Sequence, residues 1–223
     1  MEIIALILAV LLGIILVVLI RPKASIVALL LTFSGAYLLS ITVLKLLPEV
    51  YINSQSTTIG IYIILGLLLQ LILDYFSKGA EHGHIHSLET KIFPWALFIS
   101  LNVHAFMEGL PLADHHHQEL LWAIVIHKVP IAMVLASLFI FHGSKKIYAI
   151  IFLLIFAMMT PLATILGDSI LFLSKYSNEI NAVVAGTFLH IATIILFESS
   201  KEHRFNLYKF IALLLGIFLA IAA

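Results

Sequence analysis

The sequence predicts an all-α membrane protein of eight transmembrane helices in a 3+2+3 arrangement. Three observations predict this class: the composition, the recurrence of apolar runs and an internal echo. Of the 223 residues, 62% are hydrophobic and only 11% are charged, whereas an average soluble domain has roughly 25% charged residues. Apolar runs of about 20 residues, enough to cross a hydrocarbon core, recur along the chain with short loops between them.

The apolar runs give the eight predicted helices, numbered one to eight. They lie near residues 3–20, 25–47, 58–77, 92–113, 118–141, 147–172, 180–198 and 205–223. Helix one has no basic residue before it and is followed by Arg21 and Lys23, so it lacks the pattern of a signal peptide and is expected to stay in the membrane. One transmembrane domain over 1–223 is expected, with a histidine-containing cytoplasmic loop at 78–91.

Basic residues predict the orientation of this domain. The loops after odd-numbered helices hold Arg21, Lys23, Lys78, Lys91, Lys145, Lys146, Lys201, Arg204 and Lys209, and those after even-numbered helices hold only Lys175. Because cytoplasmic loops collect lysine and arginine, both termini are predicted to lie outside. The expected location is the cell membrane, inner or plasma, as a multi-pass protein.

The internal echo joins GAYL at 35–38 in helix two to GTFL at 186–189 in helix seven. The two helices lie five apart and so cross the membrane in opposite directions, as an inverted repeat requires. The echo predicts that helices one to three and six to eight are inverted triplets around helices four and five. Chance similarity of two faces of small residues is the alternative.

Helices four and five carry the candidate site. His104 and Glu108, in HAFMEGLP, are four residues apart and project from one helix face. In an antiparallel hairpin, His127 of helix five lies at the same depth as His104, since the midpoint of the two positions falls in the ADHHHQ turn. At about 1.5 Å per residue both lie roughly 17 Å from that turn, near the middle of the membrane.

An ionisable side chain at that depth costs about 2.5–3.5 kcal/mol and needs a partner. Two imidazoles and a carboxylate suit zinc and would accept iron, manganese, cobalt or cadmium. The alternative is a polar contact without a ligand, in which Glu108 pairs with Lys128 and the histidines hydrogen-bond between helices. Gly109, Pro111 and Pro130 favour a site, because proline frees a backbone carbonyl beside the ligands.

Several motifs together resemble the ZIP family of divalent metal transporters. They are KLLPEVY in helix two, EHGHIHS after helix three, HAFMEGLPLA in helix four, HKVP in helix five, TPLATILG in helix six and AGTFLH in helix seven. The resemblance implies eight helices, external termini and a metal path between helices four and five, with His104, Glu108 and His127 as the primary site. It also implies uptake of a divalent metal as substrate rather than cofactor, zinc before iron, manganese or cadmium, and often a homodimer.

Departures from the family pattern predict a single metal site. Ala105 stands where the family commonly has asparagine, Thr160 where it often has an acid, and Ile131 where it has a further ligand. Lys128 replaces another acid, and we expect it to act as a tethered cation that pairs with Glu108 in the empty site and moves away when a dication binds.

Other departures are Lys45 in place of a helix-two acid, His190 in place of a helix-seven tyrosine, and Ile195 in place of a later acid. The fourth metal ligand is expected to be water or His190.

Two histidine-rich loops are further candidates, since short tracts of this kind bind metal weakly. They comprise His82, His84 and His86 on the predicted cytoplasmic side, and Asp114 with His115, His116 and His117 outside. They would serve as a sensor or acceptor and as a collector; solvated polar loops are the alternative. Asp168, a turn after Pro161, could line an exit from the pathway.

Other classes are excluded or disfavoured. The chain has no cysteine, hence no thiolate ligand, and with zero net charge and no basic patch it is not expected to bind nucleic acid. No GxxxxGK[ST] motif is present, so transport would use a gradient. A membrane zinc hydrolase, which needs its metal-bound water near a leaflet surface, and a degenerate homologue that binds metal without transport are the competing hypotheses; an enzyme is not expected.

Overall fold

The computed structural model describes residues 1–52, 56–77, 79, 95–114, 118–141, 146–198 and 206–223. Every regular element in these ranges is helical, which confirms the all-α prediction. The main helices are α1 (Glu2–Ile20), α2 (Ala24–Ile52), α3 (Ser56–Ser77), α4 (Trp95–Gly109), α5 (Gln118–Phe141), α6 (Lys146–Ser169), α7 (Ser177–Glu198) and α8 (Leu207–Ala222). Among the described residues, seven helices are long and apolar enough to cross a membrane, and α8 is shorter, with 16 residues.

Helix α2 extends beyond its predicted end at residue 47, through a π-helical turn over Thr42–Leu46. The backbone N–H of Leu47 donates to the carbonyl of Thr42, which is one residue further back than in an α-helix. Pro48 follows directly, and a proline ring would clash with the carbonyl one α-turn earlier. The wider turn accommodates the proline, so the helix continues where the sequence pattern predicted its end.

Prolines also shape α4, α5 and α6, with different results. α4 ends at Gly109 and a 3₁₀ turn follows over Leu110–Asp114, because Pro111 cannot donate a backbone hydrogen bond. By contrast, α5 and α6 continue through Pro130 and Pro161. After α6 a short separate helix forms, so the predicted helix six is divided near its end.

The helices pack in closely matched pairs. α1 lies along α5 and α4 along α6, while α2 lies along α8 and α3 along α7. Glycines permit the closest of these approaches: a Cβ at Gly66 of α3 or at Gly186 of α7 would collide with the backbone of the facing helix. Small residues at such crossings are characteristic of membrane helix bundles.

The most buried of the seven long helices is α5, in which 72% of the residues of the apolar stretch are buried inside the protein. Other helices turn large apolar side chains outward, such as Leu19, Tyr75 and Phe218, which are 76%, 79% and 72% exposed. An apolar exterior is what a bilayer solvates. In the part of the chain that the structure describes, the backbones of α4 and α5 do not pack closely against each other. These two helices meet through long side chains, and the candidate site lies between them.

Candidate metal centre

Three metal-ligating side chains converge between α4 and α5. His104 and Glu108 project from α4 and His127 from α5, and the ligand atoms that they offer all lie within 4.8 Å of one another. The three residues are buried, with exposures of 1%, 1% and 0%. Within the described ranges no other three His, Cys, Asp or Glu residues group in this way. The arrangement is a donor set that could hold a single metal ion.

The carboxylate of Glu108 lies between two nitrogen groups and offers one oxygen to each. Its Oε1 is 3.1 Å from Nε2 of His104, and its Oε2 is 2.7 Å from Nζ of Lys128. A buried charge is costly unless it is paired and hydrogen-bonded, and Lys128 supplies the opposite charge. The two arrangements that the sequence left as alternatives, a ligand cluster and a Glu108–Lys128 pair, therefore share one carboxylate.

Lys128 is itself enclosed, with an exposure of 1%. Its Nζ lies 4.9 Å from the centre of the Phe156 ring on α6, a distance at which a cation is attracted to the face of an aromatic ring. The ammonium thus has a carboxylate on one side and an aromatic ring on the other. Sequence reasoning did not identify Phe156, because nothing distinguishes it from the other apolar residues of helix six.

Ala105 and Thr160, two of the positions that depart from the family pattern, lie together in the fold. Both are 0% exposed, and the Thr160 hydroxyl donates to the Ala105 carbonyl over 2.6 Å. One turn later the Thr164 hydroxyl donates to the carbonyl of Gly109 over 3.0 Å. These bonds link α6 to α4. The Thr160 hydroxyl therefore connects two helices at the position where the family often has an acid.

Ser34 on α2 reaches the site from a third helix. Its Oγ lies 3.3 Å from Nδ1 of His127 and donates to the carbonyl of Leu31 over 3.1 Å. Ser34 is 1% exposed. The sequence carries a weak signal for this contact, a small polar residue beside Gly35 in an apolar helix, but its spacing does not say which helix it faces.

The structure does not bring the remaining candidates to this cluster. His190 is half-buried on α7, and Asp168 is exposed at the end of α6; neither is part of the ligand group. Asp168 lines a cavity of about 770 Å³ together with Glu2 and Thr164. The loop candidates lie outside the described residues: these are His82, His84, His86, His115, His116 and His117, and the side chain of Asp114.

Comparison with known proteins gives a family. The family described as ZIP Zinc transporter matches residues 76–222. Protein zntD of Dictyostelium discoideum is 28% identical in an alignment of 162 residues that covers 62% of this chain and 24% of that protein. Zinc transporter ZIP9-B of Xenopus laevis is 31% identical over 160 residues, 61% of this chain and 50% of its own length. Zinc transporter ZIP1 of Danio rerio is 26% identical over 153 residues, 62% and 50% of the two chains.

The aligned region spans only a quarter to a half of the length of these relatives. Two of them are named as transporters, and none of the three names is that of an enzyme, which agrees with the prediction of a transporter family. The matched region nevertheless covers well over half of this chain and includes α4, α5, α6, α7 and α8. The protein belongs to the ZIP zinc transporter family.

Proposed function

We propose that this protein transports divalent transition-metal cations across the membrane through the site of His104, Glu108 and His127. Zinc is the preferred substrate, with iron, manganese and cadmium as others. The observation that carries the proposal is the convergence of three ligand atoms within 4.8 Å at a buried point between α4 and α5. Two helices that meet through side chains provide a place where a cation can enter and leave.

The donor set fits a transported ion better than a stored one. Structural zinc sites normally have four protein ligands, whereas sites that exchange what they bind keep one position open for water. Three protein ligands are grouped here. Water completes the coordination in this proposal, since His190 is not part of the group.

Lys128 gives the empty site a way to remain neutral. Its ammonium lies 2.7 Å from the carboxylate that would bind metal, so a metal ion and Lys128 compete for Glu108. When the ion arrives, Lys128 releases the carboxylate, and the Phe156 ring remains beside its ammonium. Because Lys128 remains close to the site, its charge also repels a second dication, so the site holds one ion and releases it readily.

We propose the 3+2+3 architecture with an inverted repeat and with α8 as the eighth span. In such a repeat α1, α2 and α3 correspond to α6, α7 and α8, and α4 corresponds to α5. The α1–α5 pair then corresponds to the α6–α4 pair, and the α2–α8 pair to the α7–α3 pair. All four are closely packed pairs. A site between α4 and α5 then lies at the interface of the repeats, where transporter sites are commonly found.

The charge pattern supports external termini. A single domain over residues 1–223, in the inner or plasma membrane, is part of the same proposal. With this orientation the start of α1 and the end of α6 face the outside, so the cavity lined by Glu2 and Asp168 belongs to the entry side rather than to an exit. A homodimer is the proposed assembly. The orientation would be tested by introducing a cysteine at either terminus of the protein and measuring its labelling from outside intact cells. The mass of the purified protein would test the homodimer.

The function is tested by metal uptake into proteoliposomes that contain the purified protein. We expect saturable uptake, with zinc ranked above iron, manganese and cadmium, and its loss in His104→Ala, Glu108→Ala and His127→Ala. Glu119→Ala is the matched control, since Glu119 lies in the first turn of α5, outside the cluster, and should leave uptake intact. Metal binding without uptake in the native protein would favour the degenerate, non-transporting homologue.

A further inference from the structure

We propose that Ser34 is a positioning residue which sets the tautomer of His127, so that Nε2 is the nitrogen presented to the metal. The inference rests on the proposed metal-binding role of His127. It is carried by two hydrogen bonds of one hydroxyl group, and it assigns a function to a helix, α2, that contributes no ligand to the cluster.

The number of hydrogens on the Ser34 hydroxyl decides whether Ser34 or His127 is the donor in the contact between them. A serine hydroxyl has one hydrogen and can accept through its lone pairs. We assign the Ser34 hydrogen to the Leu31 carbonyl within α2, because this is the shorter of the two Ser34 contacts, 3.1 Å against 3.3 Å. The contact of 3.3 Å between Ser34 Oγ and His127 Nδ1 therefore has the ring nitrogen as donor. A neutral imidazole carries one N–H, so with Nδ1 protonated the lone pair lies on Nε2.

The tautomer matters because a metal ion binds the nitrogen that has the lone pair. Nε2 of His127 is buried and points away from Ser34, since the two ring nitrogens face different directions. If the proton were on Nε2, binding would first require it to move to the other nitrogen. A ligating histidine commonly donates its second N–H to a nearby oxygen, and loss of that oxygen typically lowers metal affinity about 10- to 100-fold.

The burial of this contact makes Ser34 the partner that water cannot replace. Ser34 is 1% exposed and His127 is 0% exposed. Because Ser34 lies on α2 and the ligands lie on α4 and α5, the orientation of His127 depends on α2 remaining against α5. Metal affinity is thereby linked to the packing of a helix outside the ligand pair.

The test is ¹⁵N NMR of the full-length protein labelled at histidine, without metal, with the His127 signals assigned by their loss in His127→Gln. We expect Nδ1 to carry the proton in the native protein and in Ser34→Thr, and a mixture of tautomers in Ser34→Ala. Ser40→Ala is the matched control: Ser40 is on the same helix and its hydroxyl donates to the Ala36 carbonyl. It should leave the His127 signals unchanged.

Zinc affinity of the same samples, measured against a competing chelator, gives the second readout. Ser34→Ala should bind zinc about 10- to 100-fold more weakly, with Ser34→Thr and Ser40→Ala near the native value. A proton on Nε2 in the native protein, or native affinity in Ser34→Ala, would overturn the inference whatever the uptake assay shows. Conversely, the expected tautomer and affinity loss in a protein that does not take up metal would uphold the role of Ser34 and reject transport.

Discussion

Replacing Lys128 with methionine should destabilise the empty protein and leave the metal-loaded protein less affected. Methionine keeps most of the volume of the side chain and removes its charge, so Glu108 would remain buried without the ammonium now 2.7 Å away. Removing one partner of a buried ion pair typically costs about 3–5 kcal/mol. For a chain of this size each kcal/mol shifts the melting temperature by about 2–4 °C, so a fall of roughly 6–20 °C is expected.

The measurement is thermal unfolding of the purified protein, with and without zinc. Zinc should restore the stability of Lys128→Met by more than it stabilises the native protein, because the ion no longer competes with an ammonium and so binds more tightly. The double variant Lys128→Met with Glu108→Gln removes both charges and should recover much of the lost stability in the absence of metal.

The exposed contact between Lys45 and Glu119 provides a matched control. Lys45 lies 3.4 Å from Glu119, with side-chain exposures of 49% and 35%, and exposed pairs contribute about 0–1 kcal/mol. Lys45→Met should therefore have little effect on melting. Equal melting of Lys128→Met and the native protein without zinc, or equal stabilisation of the two by zinc, would refute the tethered-cation hypothesis.

Three further predictions concern packing and the entry side. Gly66→Ala would place a Cβ against the α7 backbone and should lower the free energy of unfolding by about 1–3 kcal/mol. Gly60→Ala is the control, because its Cβ would meet nothing closer than 3.8 Å, and it should be neutral or stabilising. Chemical denaturation of the two variants tests this. Thr160→Val removes the bond to the Ala105 carbonyl and should cost about 1–3 kcal/mol by the same measurement, and native stability would contradict it. Asp168→Asn should raise the KM of zinc uptake without lowering its maximal rate; a loss of maximal rate alone would place Asp168 elsewhere in the cycle.

The sequence was sufficient to predict the parts of the site that depend on local geometry. His104 and Glu108 share a helix face because of their spacing, and His127 comes beside them because the turn lies midway between the two histidines. These are properties of single helices and of one short connection, so no knowledge of the remaining helices was needed. The membrane class followed in the same way from the lengths of individual apolar runs.

Contacts that depend on which helices are neighbours could not be predicted. Ser34 and Phe156 lie on α2 and α6, and their roles arise only because these helices pack beside α5. The π-helical turn of α2 was not predicted either, since the apolar pattern around Thr42–Leu46 is compatible with a regular helix.

The structure also changes the question that the sequence left open between a metal site and a polar pair. A carboxylate buried beside two imidazoles is a good ligand, but a carrier must also exist without its ion, and an unpaired charge in the membrane interior is costly. In the proposed transport cycle, Lys128 and a metal ion need the same Glu108 carboxylate, so the two arrangements would be alternative occupancies of one site. The stability of the metal-free site then influences its affinity for metal, since every kcal/mol by which Lys128 stabilises the Glu108 carboxylate must be overcome by the arriving ion. If the proposed transport cycle operates, a lysine at this position lowers the affinity for metal and also favours its release.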